Sequence, residues 1–133
     1  MDDLDYLSVE DLLDIGKAVV SDFKLRDLGL LQSAVIRPKL TVFGSDAYTS
    51  FPEKVASLMH AIAKNHALTD GNKRLAWASC RIFCLINGKD LQFTDNTAEE
   101  LIKAIAAGKF EVSDIVKVIS NFIVIDAASP RHT

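Results

Sequence analysis

Cysteine is scarce in this chain of 133 residues: only Cys80 and Cys84 occur, four apart on what reads as a helix. No further ligand lies near them at metal-site spacing, so the pair reads as small buried core residues. No run of about 18 uncharged apolar residues exists, which excludes a membrane-spanning helix; the longest candidate, residues 75–86, is broken by Arg81. Charge of one sign is also lacking. Fifteen Lys and Arg against eighteen Asp and Glu leave a net −3, no bias toward nucleic acid or anionic membrane. No repeat or low-complexity run is visible. The first residues, Met1-Asp2-Asp3, are acidic where a secretory signal would be basic. A cytoplasmic protein is therefore expected, with neither membrane nor direct nucleic-acid partners.

What is present is apolar and helical. Apolar residues make up 49% of the chain, enough for one domain with one core, expected over residues 1–125. The polar end, 126–133, contains Pro130 and is expected to be a frayed tail. Ser8 and Asp11 resemble a capping box ahead of Val9, Leu12, Leu13, Ile15, Val19, Val20 and Phe23 at helical spacing. A second helix fits 28–37, with Pro38 as its stop. Leu40, Val42 and Phe43 are β-prone, and Gly44-Ser45-Asp46 reads as a turn. Either a flap or an ordinary surface loop fits there. Ser50, Pro52 and Glu53 form a strong start for a third helix, running to about Asn65. The fourth, 72–87, is apolar around most of its circumference and predicts a central, buried helix ending at Gly88. Thr97 with Glu100 predicts the cap of a fifth, ending at Gly108. Ser113 predicts the cap of a sixth, with Ile115, Val116, Ile119, Phe122 and Ile123 facing inward. The fold class is all-α: about six helices and one short flap.

The stretch that carries chemistry is His66-Ala67-Leu68-Thr69-Asp70-Gly71-Asn72-Lys73-Arg74. It feeds the N-terminus of the central helix, where unpaired N–H groups and partial positive charge bind anions. Gly71 permits a left-handed turn or close approach of backbone to a ligand. Lys73 and Arg74 are electrostatically misplaced for helix stability there, which points to function. Asp70 sits where a carboxylate beside a phosphate would take Mg²⁺. His66 can turn into the same cavity and accept a proton near neutral pH. Taken singly, each has an ordinary reading: a surface histidine, an Asp-Gly turn, a solvated basic pair. Together they suggest group transfer from a nucleotide.

This stretch resembles the Fic motif, H-P-F-x-[D/E]-G-N-[G/K]-R, at His66, Asp70, Gly71, Asn72 and Arg74, and Lys73 matches the branch of the Doc toxins. Arg26-Asp27-Leu28-Gly29-Leu30-Leu31-Gln32-Ser33-Ala34, Asp46-Ala47-Tyr48 and Leu85-Ile86-Asn87-Gly88 resemble further Doc segments, so the likeness runs over about residues 4–125. Two departures stand out. Ala67 and Leu68 replace the usual Pro-Phe, and Trp77 stands where adenylylating Fic enzymes carry a second arginine.

The resemblance implies a Fic fold, a toxin of a toxin–antitoxin pair, and ATP with Mg²⁺ as nucleotide and metal. It makes His66 the base that deprotonates a target hydroxyl and Asp70 the metal ligand. Gly71, Asn72, Lys73 and Arg74 become the phosphate-binding set. Doc toxins are implied to transfer the γ-phosphate to a Ser or Thr of elongation factor Tu, whereas Fic enzymes usually transfer AMP. AMP transfer, and a non-catalytic binding module, are the alternatives. The flap, 40–48, is implied to hold the target by strand addition. Many Fic proteins restrain themselves with [S/T]-x-x-x-E-[G/N]. Here Glu10, Glu53, Glu99, Glu100 and Glu111 are each followed by a residue other than Gly or Asn. Restraint is therefore expected from a Phd-type antitoxin, bound as one helix in an apolar groove near the motif.

Overall fold

The Ser8 hydroxyl accepts the Asp11 N–H, and the Asp11 carboxylate accepts that of Ser8, so the first helix starts as a closed capping box. Helix α1, Val9–Val19, follows from it. In this computed structural model, which describes residues 3–126, five more helices complete the bundle. They are α2 (Leu28–Ile36), α3 (Phe51–Lys64), α4 (Asn72–Leu85), α5 (Asp95–Ala106) and α6 (Val112–Ile119). The expected six-helix bundle is thus realised. Among the described residues no helix is long and apolar enough to cross a membrane. The expected tail overlaps this region only at Asp126, whose N–H donates to Gly88 O at 3.1 Å; residues 127–133 lie outside it.

Helices α3 and α4 form the centre together. Ser50 and Glu53 close a second capping box, and α3 buries ten of its fourteen residues. Helix α4 buries Leu75, Ala76, Cys80, Phe83 and Cys84 on one face, while Trp77, Ala78 and Ile82 are half-buried. Burial pushes the Cys84 thiol up to about 12 and Cys80 upward as well, so both cysteines are inert core residues.

Elsewhere the boundaries move. Pro38 does not simply stop α2; it sits inside a 3₁₀ turn, Arg37–Lys39, where a missing N–H is tolerated. The cap of α5 is Thr94, three residues ahead of Thr97, whose N–H it accepts at 3.3 Å. The cap of α6 is Glu111 rather than Ser113, and the Asp114 carboxylate accepts the Glu111 N–H at 2.9 Å. Helix α6 ends at Ile119, so Phe122 and Ile123 fall outside it. Ile123 belongs instead to β4, Ile123–Ile125, paired antiparallel with β3, Lys89–Leu91. Arg81 clamps β3 to α4 with two bonds to Asp90, at 2.9 and 3.3 Å.

The flap is a hairpin, β1 (Thr41–Val42) paired with β2 (Ser45–Asp46). Its turn is Phe43-Gly44, not Gly44-Ser45-Asp46: both central residues have positive φ, 52° and 81°, as a two-residue turn matching strand twist requires. Phe43 is fully exposed at the tip. The hairpin is anchored by Lys54, a fully buried cation. Its ammonium donates to Pro38 O and to the Asp46 carboxylate, each at 3.1 Å, which satisfies a charge that burial alone would forbid.

Candidate active site

The loop between α3 and α4 is short and firmly held. Ala67 O accepts the N–H groups of Arg26 (2.8 Å) and Asp27 (2.9 Å), and Thr69 N–H donates to Lys24 O at 3.1 Å. Leu25 bridges Leu68 in the same antiparallel register. Ala67 and Leu68 are both buried. These two residues, unusual for the motif, therefore pack the loop against the chain that leads into α2. The His66 carbonyl accepts both Nε (2.9 Å) and Nη2 of Arg26. Its backbone is thus fixed while its side chain stays exposed.

Asn72 closes the loop from inside. Its amide oxygen accepts Leu68 N–H at 2.9 Å and its amide nitrogen donates to Leu68 O at 3.0 Å. Both polar ends of this buried side chain are spent on the loop. Gly71 has φ 88°, the left-handed conformation that the sequence allowed for. The close approach it permits is to Val20: an added Cβ would lie 2.6 Å from Val20 Cγ2. No side chain caps α4, which leaves the N–H groups of its first turn open. Arg74 places Nη1 3.3 Å from Val19 O, at the C-terminus of α1 where a cation belongs. That uses one of its five donors.

These residues line one cleft of about 710 Å³. His66, Asp70, Gly71, Asn72, Lys73 and Arg74 all border it, together with Trp77 one turn further along α4 and residues of α5. The flap does not. Residues 47 and 48 border a separate hollow of about 400 Å³ with Val112, Ser113 and Val116. Asp70 Oδ1 accepts Gly71 N–H at 2.9 Å, and the carboxylate is exposed to the cleft. Among the described residues no group of three or more His, Cys, Asp or Glu is arranged to hold a metal ion. A lone carboxylate suits Mg²⁺ when phosphate oxygens and water complete its shell. The donor set therefore fits a metal that arrives with a nucleotide.

Sequence reasoning passed over Lys24 and His60, and it quoted Arg26 only as part of a resembling segment; that Arg26 holds the His66 carbonyl is visible only in the fold. Neither ring nitrogen of His60 has a hydrogen-bond partner among the described residues, and both are buried. Desolvation holds its pKa below the usual 6.5, helped by Arg37 and Lys64 and opposed by Glu111. Between that lowered value and 6.5 the unfolded chain binds more protons than the folded one, so stability rises with pH there. It is complete above 6.5 and falls as the pH drops through the window. Denaturant midpoints from about pH 5 to pH 8 will show this slope in the parent and lose it in His60→Phe. An unchanged slope in the variant would remove His60 from the account.

The chain matches the Fic/DOC family over residues 6–84. It is also similar to a protein named Toxin Doc from Mycolicibacterium smegmatis (strain ATCC 700084 / mc(2)155). The two are 42% identical over 121 residues, 89% of this chain and 93% of that relative.

Proposed function

The chain belongs to the Fic/DOC family, and from that membership we propose that it is a growth-arresting toxin that phosphorylates a Ser or Thr hydroxyl of a protein. The observation that carries the reading is the convergence of His66, Asp70, Lys73, Arg74 and the uncapped start of α4 on one cleft.

The target hydroxyl enters beside His66, whose imidazole takes its proton as the oxygen attacks the γ-phosphorus of ATP. The bond to the β–γ bridging oxygen breaks, ADP leaves, and the proton passes from His66 to water. The open N–H groups of Asn72, Lys73 and Arg74 orient the phosphates, and the Lys73 and Arg74 side chains offset their charge. Asp70 would hold Mg²⁺, which, bound with the nucleotide, neutralises charge on the phosphoryl oxygens.

Lys73 adds bulk and charge where AMP transfer needs open space, and Trp77 supplies no cation for a second phosphate contact. Both favour phosphoryl over adenylyl transfer. ATP labelled at either the α or the γ phosphate separates the two. Label on the target from the γ position is expected; label from the α position would establish AMP transfer instead. A cleft with His66 exposed in it argues against a mere binding module, which needs no base there.

The proposed target is elongation factor Tu, held by strand addition to the flap, whose Leu40, Val42 and Phe43 are exposed. The proposed restraint is a Phd-type antitoxin helix. Leu25 and Leu28 expose apolar surface beside the motif loop, and nearby Lys24, Lys73 and Arg74 favour an acidic residue on such a helix. That arrangement suits a cytoplasmic toxin and its partner.

A further inference from the structure

We propose that the cleft wall beyond the motif, formed by Trp77 and the facing side of α5, is a nucleobase subsite that stacks a purine on the Trp77 indole. The inference rests on the reading of the α4 N-terminus as a phosphate site and extends it to the other end of the nucleotide.

Lys73 and Trp77 are four residues apart on α4, so they lie on one face about one turn, ~5–6 Å, from each other. Both border the cleft. A chain of phosphates seated at the helix start therefore continues directly along a strip that ends in an aromatic ring. Opposite, α5 contributes Ala98, Ile102 and Ala106 at intervals of four. Small residues at both ends of that row leave width for a flat ring. Glu99 and Lys103 on the same wall pair with each other at 3.2 Å, so this part of the cleft offers no net charge to a further phosphate. A cleft of about 710 Å³ is of the size that holds a whole small ligand.

The indole is also held in place. Phe93 stacks on it at 5.5 Å and 24°, and Phe122 meets Phe93 edge-on at 4.4 Å and 88°. A ring fixed before the ligand arrives loses little freedom on binding. Trp77 stays half-buried, with part of its surface on the cleft. A purine overlaps it more fully than a pyrimidine does.

Trp77 is the single tryptophan of the chain, and its emission reports this wall alone. The full chain is titrated by calorimetry and fluorescence with Mg²⁺ complexes of ATP, CTP and inorganic tripolyphosphate. ATP should quench the emission and bind about 5- to 100-fold more tightly than tripolyphosphate, with CTP between them. Trp77→Ala should bring ATP down to the affinity of tripolyphosphate and leave tripolyphosphate unchanged. Trp77→Phe should keep most of the preference, and Trp77→Leu, which still fills the space against Phe93, should lose it. The last two carry the comparison if the alanine variant fails to fold. Equal binding of ATP and tripolyphosphate by the parent, or ATP binding without any change in emission, overturns the subsite and leaves the phosphate site standing. If tripolyphosphate does not bind at all, the phosphate reading falls and the subsite falls with it.

Discussion

The His66→Ala protein will fold as the parent does and lose phosphoryl transfer by at least ~10²–10⁴-fold, the cost of a missing general base. The two halves of that expectation have separate causes. The structural bonds at His66 run through its carbonyl oxygen, which Arg26 holds; the imidazole is exposed, so its removal takes nothing from the core. Chemistry, by contrast, needs an acceptor for the hydroxyl proton. Among the described residues bordering the cleft, His66 is the imidazole. Nucleotide affinity should change little, because the proposed phosphate contacts come from the α4 N-terminus. Incorporation of γ-labelled phosphate into the target, measured beside denaturant midpoints and ATP titrations, checks all three statements. A variant that transfers within tenfold of the parent would require another base.

The residues of this site were legible because the motif is local; what each side chain does was less so. Capping boxes at Ser8 and Ser50 announced α1 and α3 correctly, since each is a pattern of four residues. Thr97 misled because Thr94, three positions earlier, offers the same hydroxyl and accepts the Thr97 N–H itself. Strands β3 and β4 are three residues each, too short for alternation to show. Lys54 had one usable signal: it lies four residues before Leu58 and seven before Ala61, on the apolar stripe of α3 rather than its polar face. Its partners, Pro38 O and Asp46, are distant enough in sequence to stay hidden. The same holds for Arg74, whose partner Val19 O belongs to α1; Asn72 bonds Leu68, only four residues back, but through a loop closure that no periodicity announces. Two members of the expected phosphate set also hold structure: the Asn72 amide closes the loop on Leu68, and Arg74 reaches Val19 O of α1.

Gly71 shows the distinction most clearly and carries the second large expected effect. Gly71→Ala should destabilise the protein by about 2–4 kcal/mol, combining a left-handed residue without glycine's freedom and an overpacked contact. The φ of 88° is one part. Gly108 isolates it: its φ is 78°, and a Cβ there meets nothing within 4 Å, so Gly108→Ala should cost only about 1 kcal/mol. The remainder at Gly71 comes from Val20. An alanine Cβ would stand 2.6 Å from Cγ2, 2.7 Å from Cγ1 and 3.2 Å from Cβ of that buried valine. Rotating the isopropyl group swings one methyl clear but leaves the other in the same contact, and Cβ stays where it is; either α1 or the start of α4 must move. Movement of α4 shifts the N–H groups proposed to hold phosphate, so ATP affinity should fall together with stability. Val20→Ala removes both Cγ atoms, and the double variant should recover part of the loss, a coupling that a thermodynamic cycle measures directly. Additive losses from Val20→Ala and Gly71→Ala would mean that the contact costs nothing and that Gly71 is needed for its backbone conformation alone.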